Sequence, residues 1–205
     1  MGRPRLIETQ EILEAARDTF LGEGATATTG AIARRAGISE ATIFKRFRTK
    51  TDLFFAAMGF PEFDARRTIA DLKGEVSADQ ELEAISLRFL EYLNQMVPVL
   101  ARLLAHPGLD AAELAERFPE MPARALVEAI AEYVESEQRE GRIGSCEPHS
   151  VAIAIFGILH NFALLEHIGL SPKSDLSRRT LVHSFIELLW NGIKPEEVRT
   201  DRTDA

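Results

Sequence analysis

Three observations predict an all-α fold. No segment alternates apolar and polar residues with the period of two that a half-buried strand needs. Asn-Gly, the strongest short hairpin signal, occurs only at Asn191-Gly192. Apolar residues recur at helical spacing almost throughout, punctuated by proline and glycine. The expected architecture is an N-terminal three-helix helix-turn-helix domain over 1–53, a helical body over 54–193 and a polar tail over 194–205.

The first helix is expected over about 8–21, with Leu13, Ala16 and Phe20 inward. Two short helices around a tight turn follow over about 28–47. Thr28 and Thr29 can cap the first, and Ile32, Ala33 and Ala36 form its inner face. Gly37 can supply the left-handed residue that stops it, and Ser39 is a good N-cap for the second. Ile43 and Phe47 are four apart and pack inward, which leaves Glu40, Ala41, Thr42, Lys45 and Arg46 outside. A helix with a polar, basic outer face can enter a major groove, its first turns near the base edges.

The body is read as a succession of helices. One starts at Lys50 and runs to about Leu72, bent or interrupted by Gly59 and Pro61. Others are expected over about 79–104, with Pro98 a kink or break, over 110–117, and over 123–140 behind Pro119 and Pro122. The last two cover 148–167 and, capped by Asp175, a stretch ending near Gly192.

Net charge is −8, a poor match to a polyanionic partner until it is divided. Residues 1–50 carry nine Lys or Arg and six Asp or Glu, giving +3, while 51–205 carry fifteen and twenty-six, giving −11. Phosphate attraction is thereby confined to one end. The single Cys146 rules out an internal disulfide and suggests a reducing compartment. No signal peptide is visible, and the longest apolar stretch, Val151 to Leu165, is read as too short to span a bilayer. A cytoplasmic protein without membrane association is the expectation.

Residues 1–53 resemble the DNA-binding domain of TetR-family transcriptional repressors. The matching residues are Ile12-Leu13, Ala15-Ala16, Phe20, Gly24, Thr28-Thr29, Ile32-Ala33, Ala36-Gly37-Ile38-Ser39, Ala41-Thr42-Ile43-Phe44, Phe47, Thr49-Lys50 and Leu53. The pattern covers about the first quarter of the chain; the rest matches in length and helical character. The family usually has tyrosine where this chain has Phe44, which removes a phenol that could bond a phosphate. Arg46 stands where histidine or tyrosine is common and can supply a stronger phosphate contact. The loop from Gly24 to Thr28 is one residue short of the common pattern.

The resemblance implies a dimeric regulator, most often a repressor, released from a palindromic operator on double-stranded DNA by a small-molecule effector. It places Thr28, Thr29, Thr42, Phe44 and Lys50 on the phosphate backbone, where contacts set register without reading sequence. Glu40, Ala41 and Lys45 are the candidates for base edges, by hydrogen bonding or methyl contact. Glu40 is read equally well as a first-turn acid favoured by the helix dipole. Lys50 follows Thr49 in a capping-box-like start, which favours a positioned amine over a solvated one. Arg3 and Arg5, beside Pro4, form a short basic arm that could reach a phosphate or the minor groove.

The helix over 148–167 is apolar nearly all round and therefore needs cover on all sides. The final helix is also broadly apolar. Their pairing with twofold mates is expected to form a four-helix interface through Ile153, Leu159, Phe162, Leu181, Phe185 and Leu189. A hydrophobic or aromatic effector would meet apolar walls from Phe55, Phe63, Phe89, Leu93, Met96, Leu100, Tyr133 and Phe156, with polar handles from Asn94, His160 and Asn161.

Two other readings remain open at this level. His160 and His167 could serve a helical enzyme or metal-binding protein, though they are seven apart and chelating pairs on one helix are normally three or four apart. No nucleophile elbow, glycine-rich phosphate loop or paired-cysteine motif supports catalysis, and no cofactor or metal is expected. An architectural DNA-binding protein without an effector is the other.

Overall fold

The computed structural model describes residues 9–74, 76–107, 109–119, 121–170 and 177–195. The described residues form helices and no strands: α1 (Thr9–Glu23), α2 (Thr29–Ala36), α3 (Glu40–Phe44), α4 (Lys50–Ala57), α5 (Ala65–Leu72), α6 (Ala78–Leu104), α7 (Ala111–Arg117), α8 (Pro122–Arg139), α9 (Pro148–His167) and α10 (Arg178–Ile193). A single 3-10 turn, Gly24–Thr26, follows α1.

Local side chains set most of the boundaries. Thr28, Ser39 and Thr49 adopt extended backbone before α2, α3 and α4, and each hydroxyl accepts a first-turn N–H. At α4 the bond is reciprocal: the Thr49 N–H donates to Asp52 at 3.0 Å, and the Asp52 N–H to Thr49 Oγ1 at 3.0 Å. The helix expected from Lys50 to Leu72 is two helices. α4 stops at Ala57, and α5 restarts where Asp64 accepts from the Arg67 N–H at 2.9 Å. Pro98 breaks nothing, and α6 continues through it to Leu104. The cap of α10 is Ser177, accepting from the Thr180 N–H at 3.1 Å; Asp175 lies outside the described residues.

The chain divides into two compact units. The first comprises 1–61 and 95–119, the second 62–94 and 120–205, so α6 contributes its later turns to one and its earlier turns to the other. In the first unit Ile12, Ala16, Phe20, Ile32, Ile43, Leu53, Phe54 and Met58 form an apolar core with Val99 and Leu103 of α6. Arg17 closes the end of α4, donating to the carbonyls of Gly59 at 2.5 Å and Ala57 at 3.3 Å.

The second unit is built on α8 packed along α9, with α5 also on α8. Its interior carries charge. Glu81 and Glu137 are both 0% exposed. Arg142 reaches Glu81 Oε1 at 2.8 Å and Glu137 Oε2 at 2.9 Å, and Lys73 reaches Glu137 Oε1 at 2.9 Å. Glu81 also accepts from the Tyr133 hydroxyl at 2.7 Å and the Gly74 N–H at 2.8 Å. Burial pushes the Glu81 carboxyl up, but the bonds from Arg142, Gly74 and Tyr133 outweigh it and hold the group below its ordinary value. Burial and the bond to Glu81 together raise the Tyr133 phenol.

The helix α9 extends past the apolar stretch at both ends. At twenty residues it is long and apolar enough to cross a bilayer by length and composition, which corrects the expectation from Val151 to Leu165 alone. A third of that window is buried inside the fold.

Candidate nucleic-acid interface

The turn between α2 and α3 is made by backbone chemistry. Gly37 takes the left-handed conformation at φ 68°, and its N–H and that of Ile38 return to the last carbonyls of α2. Ser39 Oγ then accepts from the Thr42 N–H at 3.3 Å and lies 3.0 Å from the Thr42 hydroxyl. The regular part of α3 ends at Phe44, earlier than expected, but helical turns persist: the N–H groups of Arg46 and Phe47 both bond Ile43 O at 2.9 Å.

Glu40 has a tertiary role that periodicity did not indicate. Its Oε2 accepts from the Thr29 hydroxyl at 2.6 Å, tying the start of α3 to the start of α2. Gly30 lies close by: a Cβ there would sit 3.2 Å from Glu40 Oε1. Thr28 and Thr42 likewise carry structural bonds while lying at the surface or partly exposed.

Ala41, Phe44, Lys45, Arg46 and Lys50 are all exposed, Phe44 at 47%. Arg48 is exposed among them and was missed. Its signal was present, since Lys45, Arg46, Arg48 and Lys50 make four cations in six residues. Arg35 differs, pairing with Asp18 at 2.7 Å and bracing α2 on α1. Arg3 and Arg5 lie outside the described residues. A short capped helix followed at once by exposed cations suits this surface to a phosphate-lined groove.

The residues expected around an effector fall in both units. Phe55 belongs to the first unit, beneath the Arg117 guanidinium at 4.2 Å and beside His106. Met96 is buried and Leu100 half-buried in the same unit. In the second unit Phe63 packs edge-on to Phe89 at 5.5 Å and stacks on Tyr92 at 4.5 Å. Leu93 is fully buried, and the Asn94 amide nitrogen is buried without a hydrogen-bond partner. Tyr133 belongs to the ionic cluster. Phe156 stacks on His160 at 5.4 Å, burial lowers the His160 pKa, and Asn161 is exposed. A cavity of about 320 Å³ lies in the first unit, between α1, the start of α4 and the end of α6; none of the residues expected around an effector lines it.

The residues expected at a dimer interface also divide. Leu159 and Phe162 are already buried within the chain, and Leu181, Phe185 and Leu189 are half-buried. Ile153 is 60% exposed, with Ala154 and Gly157 beside it on α9, and Leu188 on α10 is 75% exposed. As for the metal alternative, no group of three His, Cys, Asp or Glu is placed to hold an ion among the described residues.

Residues 12–57 match the family model described as bacterial regulatory proteins, tetR family. No curated protein matches the chain. A TetR-like transcriptional regulator from Rhodococcus sp. RHA1 is 22% identical with a TM-score of 0.60, covering 93% of this chain and 98% of its own. The transcriptional regulator FadR from Bacillus subtilis, solved in complex with stearoyl-CoA, is 21% identical with a TM-score of 0.62, covering 90% and 99%. A TetR transcriptional regulator from Streptomyces coelicolor is 20% identical with a TM-score of 0.53, covering 93% and 100%. At these identities the structures establish the fold.

Proposed function

We propose that this chain, a tetR-family transcriptional regulator by its N-terminal domain, acts as a homodimeric repressor that a small hydrophobic or aromatic effector releases from a palindromic operator. The observation that carries the reading is the exposed run Lys45, Arg46, Arg48 and Lys50 around a capped α3. Lys45 and Ala41 stand where base edges are read, while Thr28, Thr42, Phe44, Arg46 and Lys50 face the phosphates. Glu40, bonded to Thr29, holds the two helices together and is positioned chiefly to orient α3.

The apolar surface left on α9 and α10 supports the dimer. Ile153 and Gly157 on α9 and Leu188 on α10 are exposed apolar positions among the described residues. A twofold pair would set its recognition helices about 34–36 Å apart, one turn of duplex. The stearoyl-CoA bound by the Bacillus subtilis regulator supports an apolar effector here. Phe63, Phe89, Tyr92 and the unpartnered Asn94 amide are the body's best candidates to meet one.

A labelled duplex from the gene's own upstream region tests the reading by gel shift across a salt series. Affinity is expected to fall steeply with salt. Lys45→Ala should relax base preference at one position, by about 1–3 kcal/mol. Lys50→Ala should weaken all duplexes and lower the salt slope by about 1. Indifference of both substitutions would show that another surface docks. A monodisperse monomer in light scattering at micromolar concentration would remove the dimer.

A further inference from the structure

The cavity of the first unit has an unusual lining for so acidic a chain. Phe20 and Phe54 meet edge-on at 5.0 Å, and His106 stacks on Phe54 at 4.6 Å, so one wall is aromatic. Lys50 and Arg102 also line it, and no Asp or Glu does. The Arg102 guanidinium donates to the Leu21 carbonyl through Nε at 3.2 Å and Nη2 at 2.8 Å. That acceptor is neutral, so the bonds position the guanidinium without offsetting its charge. Gly24 keeps the space beside it open, since a Cβ there would come within 3.0 Å of Arg102 Nη1.

An aromatic wall beside a positioned guanidinium and a lysine suits one ligand chemistry, a flat apolar body carrying a carboxylate. The volume of about 320 Å³ lies at the small end of ligand pockets, which run from about 300 to 1,000 Å³, and favours a compact ring system over a long acyl chain. We propose that this cavity is an effector site for a compact aromatic carboxylate, its ring against Phe20, Phe54 and His106 and its carboxylate on Arg102 and Lys50. The regulatory consequence rests on the DNA-binding reading given above, in which Lys50 serves a phosphate. A carboxylate on Lys50 competes with that phosphate, so ligand and duplex weaken each other reciprocally.

The test uses the full chain, 2-naphthoate and its neutral amide, 2-naphthamide, by calorimetry. Naphthoate should bind at least about tenfold more tightly than the amide. Ala105→Phe fills the cavity from an exposed lining position and should weaken naphthoate by more than about tenfold while the melting curve and duplex affinity hold. Thr51→Phe, from the other side of the mouth, should weaken naphthoate similarly and decides the matter if the first variant does not fold. Naphthoate should raise the Kd of wild type for a mixed-sequence duplex at low salt, but not that of Ala105→Phe. Absence of naphthoate binding, equal binding of the amide, or binding unchanged in both variants overturns the site. Naphthoate that binds in the cavity yet leaves duplex affinity unchanged overturns the competition at Lys50. A chain that binds no duplex even without ligand overturns the DNA-binding reading instead, and calorimetry still decides the cavity.

Discussion

The two units handle polar groups in opposite ways. In the helix-turn-helix unit the core is apolar and no charged side chain is buried among the described residues: Thr28, Ser39 and Thr49 close helix starts, and Lys45, Arg46, Arg48 and Lys50 are exposed. In the second unit charge is drawn inward, with Glu81 and Glu137 buried against Arg142 and Lys73. The contrast separates two uses of one residue class. Exposed cations can answer an external polyanion, whereas the body's buried charges are committed to one another.

The largest expected effect tests that commitment. Arg142→Ala leaves two buried carboxylates without their shared partner and should cost about 3–5 kcal/mol in a urea melt. Folded protein at low temperature should keep its duplex affinity. A loss under about 1 kcal/mol would mean that water reaches the cluster, and the comparison would fail. The same cluster sets an acid limit. The Glu81 carboxyl is held below its ordinary value of 4.5, so its stabilisation is present above that pH and is lost as pH falls through the lower folded-state value. In Glu81→Gln, stability should fall less between mildly acidic and strongly acidic buffer.

Gly144→Ala is the next effect. The Gly144 N–H bonds Ile193 O at 2.6 Å, and a Cβ would sit 2.6 Å from the Lys194 backbone oxygen. Backbone cannot yield as a flexible side chain can, so a loss of about 1–3 kcal/mol is expected by thermal melting. The smallest effects sharpen the comparison most. Ser39→Ala and Ser177→Ala each remove an N-cap and should each cost about 1 kcal/mol. Only Ser39→Ala should also weaken duplex binding, because its helix leads directly into the exposed cations from Lys45 onward. Equal weakening by both would point to a global cause.

The legible features share a short reach. Thr28, Ser39 and Thr49 were readable as caps because each bonds an N–H three residues on. Gly37 was readable because few other residues take a positive φ. Less was legible where partners are distant. Glu40 is readable from the sequence as a base contact or a first-turn acid, but its bond to Thr29, eleven residues back, is not. The aromatic residues assembled as one pocket from helical spacing divide between two units. The lining of the first-unit cavity comes from α1, α4 and the end of α6, which no single periodic pattern links.

By itself the sequence determined the helices, most of their caps, the turn at Gly37, the split of charge between the ends and the resemblance to the tetR family. Each depends on residue type and on spacings of a turn or so, where the peptide geometry alone brings groups together. Tertiary structure decided which apolar residues a single chain covers, leaving Ile153 and Leu188 outside while enclosing Leu159 and Phe162. It also decided that Arg142 joins Glu81 from sixty-one positions away and that Arg102 stands against Leu21 beside an open cavity. Periodicity states that a face is apolar; only the packing of distant segments settles what that face meets.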